Sequence, residues 1–139
     1  MIVLDTNVVS ELMKPSPSAA VRDWVLARGG SELCTTSITL AEILYGIERL
    51  PSGRRKEILR AAAVDVFHDF EDRVLAFDAT SAVHYSSVVD VRVRLGLPIN
   101  GFDAQIAAIC RTHRAALATR NTKDFEHTGV DFINPWDAT

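Results

Sequence analysis

Of the chain's 18 acidic residues, four stand where a helix begins: Asp5, Glu42, Asp103 and Asp124. Three of those starts directly follow a predicted strand or its turn, and ligands of open α/β sheets collect at the carboxyl ends of strands. Carboxylates gathered there repel one another unless a cation sits among them. Hard divalent ions fit, because Mg²⁺ and Mn²⁺ prefer oxygen ligands and keep several waters. Such a site can activate water and stabilise charge on a scissile phosphate. Other chemistries lack their residues. His68, His84, His113 and His127 are scattered, none at a zinc-ligand spacing from another His or Cys, and His113 is expected as a partly buried core histidine. There is no Gly-rich phosphate loop, no Gly-x-Ser-x-Gly elbow and no basic base-reading helix.

Each acid also has a structural explanation. Asp5 and Asn7 are common helix caps. Thr39 with Glu42, Asn100 with Asp103 and Asn121 with Asp124 all have capping-box spacing, so each acid taken singly favours a cap. Periodicity separates them a little. At about 100° per residue, Asp103 falls in the stripe of Ile106, Cys110 and His113, where a carboxylate needs a cation, hydrogen bonds or a proton. Glu42 lies away from the stripe of Leu40, Ile43, Leu44 and Ile47 and looks like a solvated first-turn acid. First-turn residues can still face a strand end, so the spacing leaves Glu42 undecided.

The elements that must position these residues alternate. The apolar run Ile2 to Leu4 predicts a buried strand, with further strands at Leu33 to Thr36, Val74 to Phe77, Ala115 to Thr119 and Val130 to Ile133. Helices lie between them. The first stops at Pro15, the second is capped by Ser18, and the long helix from about Thr80 closes at Gly96, suited to a left-handed C-terminal turn. Strands separated by helices mean an α/β domain with a mainly parallel sheet. At 139 residues one domain spanning 1–139 is expected. Hydrophobic and charged fractions of 47% and 24% are those of a soluble globular protein. The net charge of −3 provides no global basic field for nucleic acid, although a local patch or bound metal can still receive phosphate. Cys34 and Cys110 are expected as buried, reduced thiols. The chain opens directly on a strand, with no room for a signal peptide, and no apolar run approaches a membrane span, so a cytoplasmic protein is expected.

The acidic positions lie in longer stretches with a familiar pattern. Ile2-Val3-Leu4-Asp5-Thr6-Asn7 with Ser10-Glu11-Leu12 resembles the first motif of PIN-domain nucleases, and Thr36 to Ile47 resembles the second. Ile99-Asn100-Gly101-Phe102-Asp103 through Ala108 resembles the third. Ala118-Thr119-Arg120-Asn121-Thr122-Lys123-Asp124-Phe125, with Gly129-Val130 and Ile133-Asn134-Pro135-Trp136, resembles the fourth motif and the closing strand. The motifs run in order from residue 1 to about 136, most like the VapC and FitB-like toxins of type II toxin–antitoxin pairs.

That resemblance implies a three-layer α/β/α sandwich with a mainly parallel five-stranded sheet, and a Mg²⁺- or Mn²⁺-dependent endoribonuclease. It makes Asp5, Glu42, Asp103 and Asp124 the acidic site. Asp5 and Asp103 would bind metal directly, Glu42 and Asp124 directly, through water or with a second metal. Thr6, Ser37 and Asn121 would support them. It also implies an RNA substrate, a homodimer and a cognate antitoxin, with operator DNA bound only through the antitoxin. Arg120 and Lys123 are phosphate-contact candidates, whereas Ser52 to Lys56 reads as a solvated helix start. Trp24 and Tyr45 suit either an antitoxin groove or the core. From the acids alone, a metal-dependent DNase and a catalytically inactive binding module stay open.

Overall fold

A computed structural model describes residues 1–138. Its elements, in chain order, are β1 (Ile2–Leu4), α1 (Thr6–Leu12), α2 (Ala19–Leu26), β2 (Leu33–Thr36), α3 (Ser37–Glu48) and α4 (Arg54–Asp69). Then come β3 (Val74–Leu75), α5 (Ala79–Arg94), α6 (Gly101–His113), β4 (Ala116–Ala118) and β5 (Phe132–Ile133), with short 3₁₀ turns at Gly30–Glu32 and Thr122–Phe125. The sheet has the order β3-β2-β1-β4-β5, and every pair is parallel.

Period-two alternation builds the layers. Ile2 and Leu4 point into one core with Val8, Val9, Val21, Trp24, Ile43 and Ile47. Val3, between them, points into the other with Val88, Ala104, Ile106, Ala107 and Leu117. The first four helices thus cover one face and α5 with α6 the other, giving the three-layer sandwich. Gly96 takes φ +72 after α5, as its left-handed closing role requires. No helix among the described residues is long and apolar enough to cross a membrane.

Several expectations need correction. The third strand stops at Leu75 rather than Phe77, because its partner β2 ends at Thr36 and turns into α3. The last strand starts at Phe132 rather than Val130, and β4 is shorter than Ala115 to Thr119 by one residue at each end. Ser18 occupies the cap position of α2, but its side chain makes no capping bond; its backbone N–H donates to the buried Glu11 carboxylate at 2.9 Å. Leu44 is exposed and so is His113, which lies in the last turn of α6 and not in the core. Trp24 is buried in the core under the Arg28 guanidinium, 3.9 Å from its ring centre, whereas Tyr45 is 66% exposed. Cys34 and Cys110 are free and buried, with thiols pushed up by burial.

Candidate active site

β1 and β4 are neighbours whose chains leave toward opposite sides of the sheet, β1 toward β2 and β4 toward β5. That divergence is a topological switch point, where a crevice opens beyond the carboxyl ends of the strands. Asp5 follows β1 and Thr119 follows β4, so both stand at its mouth. Asp5 is 3% exposed and does two things at once. Its Oδ1 caps α1 by accepting the Thr6 N–H at 2.8 Å. Its Oδ2 accepts the Thr119 hydroxyl at 2.7 Å and the Asn7 amide at 3.4 Å. Thr119 Oγ1 in turn accepts the Asn121 backbone N–H at 3.0 Å, and Asn7 Oδ1 that of Arg120 at 3.2 Å. The two strand ends are therefore laced together through side chains.

Glu42 is placed by a row of hydroxyls. α3 is capped by Thr36, whose Oγ1 accepts the Thr39 N–H at 3.1 Å, so Thr39 sits inside the helix and does not form a capping box with Glu42. Its buried side puts Thr39, Ile43 and Ile47 inward, with half-buried Glu42 beside them. The Thr6 hydroxyl donates to Glu42 Oε1 at 3.0 Å and lies 3.1 Å from the Thr39 hydroxyl. With its single proton given to Glu42, Thr6 must accept from Thr39, and Thr36 in turn donates to Thr39 at 3.3 Å. Such a chain polarises in one direction, toward the carboxylate.

Asp103, in the first turn of α6, is half-buried. Asn100 caps the helix through the Asp103 N–H at 2.8 Å, and its amide also donates to Asp103 Oδ2 at 2.8 Å. The cap half of the expected capping box is realised, but Asp103 accepts from the Asn100 side chain and not from its backbone N–H. Asp124 lies on an exposed 3₁₀ turn, its N–H bonded to the Asn121 carbonyl at 3.0 Å, and the Asn121 side chain makes no capping bond.

Electrostatics ties the four together. Burial pushes Asp5 up, the Thr119 hydroxyl and Thr6 N–H oppose it, and the charges of Glu42 and Asp124 push further. Glu42 is raised first by burial, against its Thr6 bond, and then by Asp103. Asp103 is pushed up from 3.8 to about 6 by burial and then by Asp5 and Asp124, while Asn100 and Arg92 hold it down. Oxygen donors that repel one another in a half-buried crevice suit a hard divalent cation. Among the described residues, no three His, Cys, Asp or Glu side chains close on a common coordination shell. An ion would thus be held by one or two carboxylates, with water completing the shell, as Mg²⁺ usually is.

The raised Asp103 value has a sign that can be tested. Its stabilising contribution is complete below the unfolded value near 3.8 and is lost as pH rises through about 6. Asp103→Asn without metal should therefore melt above wild type near about pH 7.5, with the gap closing toward about pH 4. An equal offset at both pH values would contradict a charge penalty at this position.

Asp5 feels the charges of Glu42 and Asp124, and Asp103 those of Asp5 and Asp124, with Thr6 bridging Asp5 and Glu42. The structure gives the Ser37 and Asn121 side chains no hydrogen bond among the described residues, although Ser37 opens α3 and Asn121 contributes its backbone N–H. Sequence reasoning named Thr39 only as a cap and Thr119 only as part of the fourth motif, and it passed over Arg92. Thr119 has the same signal as Asp5, a polar residue directly after a strand. Arg92 is 5% exposed and falls in the buried stripe of α5 with Ser81 and Val88, where helical spacing would have flagged a cation. Thr119→Val, nearly isosteric, should cost about 1–3 kcal/mol by leaving a buried Asp5 oxygen short of its best donor. Urea unfolding checks this, and an unchanged midpoint would show the bond to be dispensable.

The PIN domain family model matches residues 2–131. The plasmid stability protein StbB of Pseudomonas syringae pv. tomato is 40% identical, over 99% of this chain and 100% of its own. The VapC ribonuclease Y4jK of Sinorhizobium fredii is 38% identical over 99% of each chain. Among solved structures, FitAB bound to an IR36 DNA fragment superposes with a TM-score of 0.92 at 32% identity, covering 100% of this chain and 98% of that one.

Proposed function

The chain belongs to the PIN-domain family, and from that premise we propose that it is a metal-dependent endoribonuclease toxin of the VapC and FitB-like group, neutralised by a cognate antitoxin. The observation that carries this reading is the set of mutually repelling carboxylates at the switch point, supported by relatives named as ribonucleases and toxins. Asp5 and Asp103 would hold Mg²⁺ or Mn²⁺ directly, with Glu42 and Asp124 reaching it through water. When bound, the ion supplies Lewis acidity toward the scissile phosphate and makes water easier to deprotonate.

The chain's own groups do the rest. Thr6 N–H and the Thr119 hydroxyl fix the orientation of the Asp5 carboxylate. Glu42, raised by burial and steered by the Thr6 hydroxyl, is the group we assign to take the proton of the attacking water. The water oxygen forms a new bond to phosphorus, the bond to the leaving sugar oxygen breaks, and that oxygen takes a proton from solvent. Arg120, its guanidinium 4.8 Å over the Trp136 ring, and Lys123 flank Asp124 and would contact backbone phosphates.

A cavity of about 450 Å³ runs from Thr6 and Glu42 between α1, α3 and α4, past Ile43, Ile47, Ile58 and Leu59. It suits the apolar face of an antitoxin helix. DNA binding, as in the FitAB complex, would come through that antitoxin, and a homodimer in the cytoplasm completes the proposal.

The test is cleavage of matched RNA and single-stranded DNA by the purified chain, free of partner, with Mg²⁺, with Mn²⁺ and with chelator. RNA should be cut in either metal and DNA spared. Preference for DNA would move the assignment to a DNase. No cutting together with no metal-induced rise in Tm would move it to a binding module, since an ion held by the folded state must stabilise it.

A further inference from the structure

We infer that Arg92 is a positioning residue of the carboxylate site, fixing the turn that presents Asp124. Its Nη1 donates to the Glu126 carbonyl at 2.8 Å and the Lys123 carbonyl at 3.3 Å, the two residues that flank Asp124 and Phe125. The side chain is 5% exposed, pairs with no acid among the described residues, and keeps a buried Nε without a partner. Burying a guanidinium this way is costly. A neutral amide could tie α5 to two carbonyls without that cost, so the charge needs its own reason. Its strength as a clamp supplies one, because charge-assisted donation to the carbonyls on both sides of Asp124 and Phe125 holds that turn more firmly than a neutral amide would. Sites of this kind depend on geometry held to about 0.5 Å by supporting groups.

This inference rests on the nuclease reading, and its test separates the two. Mn²⁺ affinity and RNA cleavage would be measured for Arg92→Met and Arg92→Lys, each also combined with Asp124→Asn. Arg92→Met should weaken Mn²⁺ binding and lower kcat about 10- to 100-fold, and Arg92→Lys should recover part of both. With Asp124→Asn already present, Arg92→Met should have little further effect on Mn²⁺ affinity, because the two act through one group. Additive losses, or wild-type affinity and rate in a folded Arg92→Met chain, would overturn the inference. If Arg92→Met does not fold, Arg92→Lys decides: undiminished affinity and rate overturn it. Wild-type chain that binds Mn²⁺ but cuts no RNA would overturn the nuclease reading alone and leave the affinity cycle to judge Arg92. Wild-type chain that binds no Mn²⁺ would overturn both.

Discussion

Replacing Asp5 by Asn should lower RNA cleavage by about a thousandfold or more, equivalent to about 4 kcal/mol of lost transition-state stabilisation, with the fold retained. The local geometry explains why the two effects separate. An Asn side chain at this position keeps a carbonyl oxygen for the Thr6 N–H, so α1 keeps its cap. The other carboxylate oxygen becomes an amide NH2, which can no longer accept the Thr119 hydroxyl and must donate to Thr119 Oγ1 instead, and which now opposes the Asn7 amide. That loss costs about 1 kcal/mol, and removal of a buried charge repelled by Glu42 and Asp124 offsets it. What cannot be replaced is the negative charge in the crevice. A folded Asp5→Asn chain, by circular dichroism and melting, that cuts at the wild-type rate would remove Asp5 from the site.

Phe125→Ala should destabilise the chain by about 3–5 kcal/mol, a large part of the roughly 5–15 kcal/mol that holds a domain together. Phe125 is fully buried, the largest such side chain here, and packs with Val88, Ile106 and Leu117 between the sheet and α5 with α6. It is also the residue after Asp124, so the anchor of the core is the anchor of the turn. Arg92 holds that turn's carbonyls while Phe125 holds its floor. Phe125→Leu fills more of the space and should lose less. Denaturant unfolding checks the order, and a loss for Phe125→Ala below about 1 kcal/mol would mean that the cavity collapses without penalty.

The parts of this protein legible in its sequence are those governed by short-range periodicity. Ile2 to Leu4 reads as a buried strand because both faces of a parallel sheet are covered. Asp103 stands out because a carboxylate at a helical interval from Ile106 and Cys110 must be accommodated somehow. Glu42 did not stand out, because the apolar stripe of α3 was drawn through Leu44, and hydrophobicity is not burial: Leu44 is exposed while Thr39 points inward. The helix also starts at Ser37, so the Thr39–Glu42 capping spacing was coincidental. Asp5 and Thr119 meet across 114 positions of chain, and no local pattern encodes that pairing. It follows from placing β4 beside β1, a consequence of topology. Arg92 differs again. Its place in the buried stripe of α5 was readable, but its partners are backbone carbonyls, which carry no residue-type signal.

The most direct measurement of the central claim is the rate at which the purified chain, free of partner, cuts a structured RNA pool as Mn²⁺ is raised from zero. Wild type and Asp103→Asn would be run side by side. Wild type should be silent in chelator and gain activity with the ion, while folded Asp103→Asn stays at background throughout. Cutting that persists in chelator, or an Asp103→Asn chain that matches wild type, would contradict a metal-dependent centre built on these carboxylates.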